Sequence, residues 1–247
     1  MRLISLIAGC SLLTACMLAP PAENPMPVEH GQAEKSSDTL VIFLPGRFPR
    51  EDDFRDNGFF DKAREAGIDM IAADAHFGYY RAETVTDRLD EDVIQPAIEA
   101  GYKHIWLAGI SLGGFGAGLY ADDYPDTVDG LILFAPYTGH RRLVQEISEQ
   151  GALADWNREA SQGEDYERRV WRRLHTIITQ DDRPPLLLAY GIDDRFERSN
   201  QLLADALPDD QVFTVEGGHN WDAWRPLWSK LLEAGFPQAL NSEPAVP

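Results

Sequence analysis

Short apolar runs recur along the chain after residue 38 and alternate with segments of helical spacing. Each run has the length of a buried strand and is too short for a buried helix. Strands that alternate with helices favour a mostly parallel sheet with helices on both faces. The predicted strands lie at residues 39–44, 68–73, 105–108, 128–134, 186–190 and 211–215.

Between the strands, apolar residues recur at intervals of three or four, as they do on one face of a helix. In residues 83–100, Val85, Leu89 and Val93 share such a stripe. Pro96 must kink or end this helix, because proline lacks the N–H group that a helix interior requires. Further helices are predicted at residues 59–66 and 221–234.

Residues 140–182 are rich in Arg, Glu and Gln and show helical spacing without a strand. We interpret them as a helical insert that forms a cap over a pocket, an element that can set substrate shape and can move. The surrounding body, residues 39–236, is long enough for one domain with a full core. Residues 237–247 are expected to form a flexible C-terminal tail.

The first 16 residues combine one Arg with an apolar run that is too short to span a bilayer and ends in small residues. This pattern is typical of a secretory signal. Residues 13–16 (LTAC) resemble the lipobox of bacterial lipoproteins, which implies that residues 1–15 are removed and that Cys16 carries a lipid. Two alternatives remain open: a looser match that ends at Cys10, and a plain signal peptide cleaved nearby.

Residues 16–38 would then connect the lipid to the domain. They contain four prolines and almost no apolar periodicity, so we interpret them as an extended tether that contributes no strand. The lipid would hold the protein at a membrane of the bacterial cell envelope, whereas a plain signal would make it secreted. With Cys10 removed and Cys16 lipidated, the folded body has no cysteine, and no disulfide is expected.

The chain is strongly acidic, with a net charge of −19, and loss of the signal, whose only charge is Arg2, makes it −20. Such a surface repels nucleic acid and anionic membrane surfaces, so nucleic acid is excluded as a partner. The acidic residues are spread over predicted helix faces rather than gathered in a tail. They are typical of a solvated surface.

Residues 104–115 (HIWLAGISLGGF) contain the most informative motif. An apolar run leads into Gly-x-Ser-x-Gly at residues 109–113, and a segment rich in Gly and Ala follows. Strand, pentapeptide and helix in this order are the context of a nucleophile elbow, a turn so sharp that the backbone of Ser111 is strained. Glycine is used at positions 109 and 113 because a side chain there would collide with neighbouring backbone.

An elbow on the third of six strands, with a helical insert after the fourth, resembles the α/β-hydrolase fold over residues 39–236. Two strands that often begin that fold are expected to be missing here, because the tether occupies their place. The resemblance implies a serine, an acid and a histidine in that order, each at the carboxyl end of its own strand. It implies no metal and no organic cofactor.

The acid is expected directly after the strand at 186–190. Asp193 and Asp194 both follow that strand, and the family's Gly-x-x-Asp spacing favours Asp194. His219 follows the last strand in a glycine-containing loop, which is the position that the family gives to its histidine. The resemblance thus assigns Ser111 as the nucleophile, His219 as its base, and Asp194 or its neighbour as the group that orients the base.

The same resemblance implies two backbone N–H donors for the oxygen that becomes negative during acyl transfer. One is the amide of Leu112, directly after the nucleophile. The other is the amide of Arg47, in the loop after the first strand. That loop has Pro45 and Gly46 where the family often has His-Gly, so the oxyanion loop is of the simple, short kind.

Other aromatic and polar residues near the strand ends have two interpretations. Residues 76–80 (HFGYY) follow a strand, and they either line a pocket or pack as an ordinary loop. The same alternatives hold for Tyr137 and Thr138. A tryptophan stripe at helical spacing favours core packing over a ligand site: Trp221, Trp224 and Trp228.

Together these features predict a serine hydrolase that cleaves a small or lipid-like carboxylic ester through an acyl-enzyme intermediate. A thioesterase, acyltransferase, lipase or peptidase remains an alternative, because a fold does not fix its substrate. The alternative from another class is a non-catalytic envelope lipoprotein that uses the fold for binding. The ordered serine, acid and histidine argue against that alternative.

Overall fold

The computed structural model describes residues 20–49, 52–157, 165–180 and 184–237, and these residues build one sheet of seven strands with helices around it. The strands are β1 Val28–Gly31, β2 Thr39–Leu44, β3 Asp69–Ala73, β4 His104–Ile110, β5 Gly130–Phe134, β6 Leu186–Gly191 and β7 Val212–Val215. The α-helices are α1 Asp53–Asp56, α2 Phe59–Glu65, α3 Phe77–Arg81, α4 Val85–Leu89, α5 Gln95–Glu99, α6 Leu112–Asp123, α7 Arg141–Glu149, α8 Tyr166–Thr179, α9 Glu197–Ala204 and α10 Trp221–Glu233.

The strands lie in the order β1-β3-β2-β4-β5-β6-β7. All neighbours run parallel except β1, which is antiparallel to β3. The six strands predicted from the apolar runs are confirmed. The central strands β2, β4, β5 and β6 are buried almost throughout, as expected for a sheet with helices on both faces.

The prediction that residues 16–38 contribute no strand is wrong. Residues 28–31 form β1, and its register places Val28 opposite Ala73 at the carboxyl end of β3. The folded body therefore begins before residue 39, and one of the strands expected to be missing is present. An edge strand of four residues, half-buried or exposed throughout, has little apolar periodicity by which to recognise it.

Polar contacts with distant residues hold this N-terminal segment in place. The Met26 N–H donates to Asp92 Oδ2 at 2.8 Å, and the Ala33 N–H donates to Asp69 Oδ1 at 2.7 Å. The side chain of Met26 is 3% exposed, so it belongs to the core. These contacts make the segment part of the domain rather than a spacer.

The helix predicted at residues 83–100 is interrupted, as expected. Between α4 and α5, residues Asp90–Ile94 form a π-helical turn that ends two residues before Pro96. A proline removes one N–H donor and its ring displaces the carbonyl four residues earlier, so the wider turn accommodates it.

The insert is helical, as predicted. Its second helix, α8, packs against α6, and Val170 lies over Gly118, where an added Cβ would come within 2.9 Å of the valine side chain. Arg169 pairs with Asp122 at 2.8 Å and with Asp123. The described part of the insert thus packs on α6, and Glu167 near the start of α8 reaches Tyr137. Its role as a cap over a pocket stays a prediction.

The N-terminal features predicted from the sequence, the signal at residues 1–15 with Cys10 and Cys16, lie outside the described residues. So does the tail from residue 238. Within the described ranges, no helix has the length and apolar character needed to cross a bilayer.

Candidate active site

The nucleophile elbow forms where β4 meets α6. Ser111 has φ 56° and ψ −110°, a conformation that a residue with a side chain rarely adopts. A Cβ added to Gly109 would lie 2.2 Å from the carbonyl of Gly113, and one added to Gly113 would lie 2.2 Å from the Leu44 carbonyl oxygen. Both obstacles are backbone, which is the collision that the sequence motif predicted.

The strained serine is fixed by main-chain hydrogen bonds. Its N–H donates to the Phe134 carbonyl at 2.9 Å, which continues the pairing of β4 with β5. Its carbonyl accepts from the N–H of Tyr137 at 3.0 Å and from that of Phe115 at 3.3 Å. The strain is therefore held by the sheet on one side and by the first turn of α6 on the other.

His219 joins the serine and the acid. Its Nε2 lies 2.9 Å from Ser111 Oγ, and its Nδ1 lies 2.7 Å from Asp194 Oδ2. With the proton on Nδ1 facing a carboxylate, Nε2 presents its lone pair to the serine hydroxyl. Ser111 and Asp194 are buried, at 4% and 3% exposure, so these hydrogen bonds are shielded from competing water. This geometry is that of a nucleophile activated by an oriented base.

The two adjacent aspartates differ in what they contact. The Asp194 carboxylate also accepts from the Phe196 N–H at 2.7 Å, so both of its oxygens are occupied. Asp193 is exposed, and its N–H donates to the Gly217 carbonyl at 3.0 Å. Asp193 therefore ties the acid loop to the histidine loop through its backbone, while the carboxylate that reaches His219 belongs to Asp194.

Aromatic rings surround the imidazole of His219. Phe196 and Trp224 each meet it edge-on, with ring centroids at 5.0 and 5.1 Å. Trp221 packs against Trp224 at 5.1 Å, and Trp228 is 1% exposed. The tryptophan stripe thus belongs to the core, as its spacing favoured, but its first turn also restricts the ring of His219.

The two segments that carry the amides predicted to form an oxyanion hole lie beside the serine. The amide of Leu112 opens α6, where first-turn N–H groups have no acceptor within the helix. A Cβ added to Gly46 would lie 3.8 Å from Ser111 Cβ, which brings the loop containing Arg47 beside the nucleophile. Tyr80 supports this corner by donating to the Leu112 carbonyl at 3.1 Å, and burial raises the pKa of the Tyr80 hydroxyl.

Tyr137 forms a second aromatic wall beside Ser111. Its ring lies 5.7 Å from that of Phe115 and 5.6 Å from that of Phe196. Its hydroxyl donates to Glu167 Oε1 at 2.6 Å, so the insert touches the site at this point. Burial, reinforced by this hydrogen bond to Glu167, raises the pKa of Tyr137 and keeps its hydroxyl protonated. Tyr137 therefore packs between the nucleophile and the insert.

A cavity of about 840 Å³ lies at the same edge of the sheet, on the side of β1 and β3. The oxyanion loop lies between this cavity and the serine: Pro45 and Arg47 line the cavity, and Ser111 does not. His76 and Phe77 line it, so residues 76–80 contribute to a pocket wall; His76 also caps α3 by accepting from the Gly78 N–H at 3.0 Å. Most of its lining is apolar: Pro20, Pro27, Val28, Pro45, Phe48, Pro49, Phe54, Ala72, Ala73 and Phe77.

The sequence did not reveal that residues 20–29 line this cavity. Pro20, Pro27, Val28 and Glu29 all belong to the segment interpreted as a tether. No motif marks them, since they contact the cavity only because β1 pairs with β3. The ion pair between Glu29 and Arg55 is likewise invisible in the sequence.

No group of three or more His, Cys, Asp or Glu side chains with the geometry of a metal site is found in the part of the chain that the structure describes. At the site, Asp194 and His219 are engaged with each other.

No protein-family model matches the chain, and no curated protein matches it by sequence. Solved structures match it in fold. Est1E from Butyrivibrio proteoclasticus with ferulic acid bound is 16% identical, with a TM-score of 0.62 over 87% of this chain and 96% of that one. S-formylglutathione hydrolase (FrmB) from Staphylococcus aureus is 15% identical, with a TM-score of 0.57 over 83% and 82%. A monoacylglycerol lipase from Paleococcus ferrophilus is 16% identical, with a TM-score of 0.53 over 85% and 99%.

This likeness, together with the sheet order and the elbow, shows that the chain has the α/β-hydrolase fold. At such identity the comparison establishes the fold alone. What the site does has to be argued from its own geometry.

Proposed function

We propose that the protein is a serine hydrolase that cleaves a carboxylic ester through an acyl-enzyme intermediate. Ser111 Oγ attacks the carbonyl carbon while His219 takes its proton, and the amides of Leu112 and Arg47 hold the negative oxygen. His219 then gives the proton to the departing alcohol. A water molecule, deprotonated by His219, attacks the acyl group, which releases the acid and restores Ser111.

The observation that carries this proposal is the position of His219, within hydrogen-bond distance of both Ser111 and Asp194. These residues stand 108 and 25 positions from it along the chain. The similar structures include an esterase, an S-formylglutathione hydrolase and a monoacylglycerol lipase, which supports ester or thioester chemistry.

A fluorophosphonate probe tests the proposal, because it reacts only with an activated serine. The wild type should be labelled, and Ser111→Ala should not be. Ser148→Ala is the matched control, since Ser148 lies on α7, where its hydroxyl contacts Gln145 and Arg198 rather than His219, and the change should leave labelling intact. A wild-type protein that resists the probe would favour the non-catalytic lipoprotein over the enzyme.

The class of bond is tested with a substrate panel on the same variants. p-Nitrophenyl esters of rising chain length, a thioester and a p-nitroanilide separate esterase or lipase from thioesterase and peptidase. Turnover that rises when an alcohol is added as acceptor indicates acyl transfer. We expect the esters to react fastest, because the oxyanion loop is short and the cavity beside it is mostly apolar.

We further propose that Cys16 carries a lipid and that the protein resides in the bacterial cell envelope, on the basis of the lipobox-like residues 13–16. Cys16→Ser should release or mislocalise the protein, whereas Cys10→Ser should leave it in the membrane fraction. Mass spectrometry of the mature N-terminus gives the direct answer. An unmodified chain that begins at Ala19 or later would indicate a secreted enzyme.

A further inference from the structure

We propose that the mouth of the cavity beside the oxyanion loop faces the membrane, so that the enzyme takes its ester from the bilayer rather than from solution. This inference rests on the proposed ester hydrolysis and on the lipid at Cys16. It adds a direction of substrate entry and a substrate class: an amphiphilic ester that resides in a lipid layer.

The first support is the character of the cavity mouth. Phe48 lines the cavity and is 78% exposed, the largest exposure of any bulky apolar side chain in the described residues. Phe77 lies behind it, and the guanidinium of Arg47 lies 4.4 Å from the Phe77 ring and 5.4 Å from the Phe48 ring. An exposed aromatic ring beside a cation is a combination that suits the interfacial region of a membrane.

The second support is the local charge. The cavity lining holds four carboxylates, Glu29, Asp52, Asp53 and Asp74, and two arginines, Arg47 and Arg81, for which no ion pair is found among the residues that the structure describes. Asp52 lies 3.9 Å from Arg55, which also pairs with Glu29. Arg47 and Arg81 can therefore approach lipid phosphates, although the carboxylates of the same lining weaken this attraction.

The third support is the length of chain between the cavity and the lipid. Pro20 lines the cavity, and only four steps along the chain separate it from Cys16. Four residues span at most about 14 Å when fully extended. A domain of this size is roughly 40 Å across, so the short connection prevents the cavity side from turning away from the bilayer.

Lengthening this connection tests the proposal. The full chain, with its own signal, is purified from bacterial membranes and placed in vesicles of phosphatidylcholine and phosphatidylglycerol. Its turnover is compared on p-nitrophenyl butyrate in solution and on 4-methylumbelliferyl palmitate dissolved in the bilayer. The test variant carries a flexible Gly/Ser segment of about twenty residues between Ala19 and Pro20, which lets the domain take any orientation on the membrane. The control carries the same segment after Pro247.

We expect the inserted segment to lower turnover of the bilayer ester about tenfold relative to the control, because the effective concentration of the cavity at the membrane falls with tether length. Turnover of the soluble ester should stay the same. Equal hydrolysis of the bilayer ester by both proteins would overturn the proposal, as would a wild type that does not sediment with the vesicles. Loss of turnover on both esters in every protein, without fluorophosphonate labelling, would instead overturn the proposed enzyme.

A substitution at the mouth gives a second test. Phe48→Asp should lower the ratio of bilayer-ester to soluble-ester turnover several-fold, because it places a charge where the ring meets lipid. Ile98→Asp is the matched control, since Ile98 is also a large exposed apolar side chain, at 42%, but lies on α5 away from the cavity. An equal ratio in the two variants would contradict the membrane-facing mouth.

Discussion

On one half of the sheet's carboxyl edge, the ends of β4, β6 and β7 present Ser111, Asp194 and His219. On the other half, residues 20–31 and the loops after β2 and β3 enclose the cavity. The first half is built from local turns, each marked by its own glycines. The second half is built by a segment whose partners are far away in sequence. The two halves therefore differ in how easily the sequence reveals them.

The two halves also differ in role, since one holds the reacting groups and the other encloses the cavity. Ser111 and Asp194 follow the buried central strands β4 and β6, where small backbone movements are resisted on both faces, and His219 follows the edge strand β7. The cavity depends on an edge strand of four residues and on the chain that leads into it. We expect changes in the catalytic half to remove activity without unfolding the protein, and changes in the N-terminal half to act first on stability.

The largest expected effect is loss of the nucleophile or its base. Ser111→Ala and His219→Ala should each lower kcat by about 10⁴–10⁶-fold, and the double variant should be no worse than either, because the residues act as a unit. Steady-state kinetics on p-nitrophenyl butyrate measures this, with circular dichroism as the check on folding. Turnover at the wild-type level in Ser111→Ala would contradict the mechanism.

The next effect concerns the two aspartates. Asp194→Asn should lower kcat by about 10⁴-fold, because the amide no longer holds the proton on Nδ1 of His219. Asp193→Asn keeps its backbone hydrogen bond to Gly217 and should stay within about threefold of the wild type. A larger loss from Asp193→Asn would show that the orienting group has been assigned to the wrong carboxylate.

Shortening the chain tests how much the N-terminal segment contributes to stability. A protein that begins at Ser36 lacks β1 and Met26, and its free energy of unfolding should fall by about 3–5 kcal/mol through lost burial and strand hydrogen bonds. A protein that begins at Pro20 keeps both and is the control. Urea denaturation of the two proteins gives the difference. Equal midpoints would mean that the N-terminal segment is dispensable for the fold.

The smallest expected effect on stability comes from a single side chain of the N-terminal segment, Met26. Met26→Ala should destabilise the protein by about 2 kcal/mol, near the lower limit for a buried methionine, because the site lies at the edge of the core. Ile98→Ala, at an exposed position, should change the free energy of unfolding by less than about 0.5 kcal/mol. A thermal melt of each variant compares them, and similar shifts would argue that Met26 contributes little.

Much of the fold and of the site was predictable because the relevant signals are local. The apolar runs of β2 and β4 to β6 are long enough to stand out, and parallel strands place their carboxyl ends at one edge. Ser111 is marked by glycines on both sides, and the order of the serine, acid and histidine follows from the resemblance. The positions of these residues on the chain therefore carried most of the information about the site.

The tertiary structure alone decided which aspartate reaches His219 and what residues 20–31 do. Asp193 and Asp194 are neighbours with the same chemistry, and only the turn between β6 and α9 points one carboxylate inward and leaves the other in solvent. β1 has no periodic pattern, and the segment that leads into it is held by distant partners such as Asp92, 66 residues away from Met26. Contacts between distant residues depend on how the whole sheet assembles, so no local pattern of apolar and polar positions encodes them.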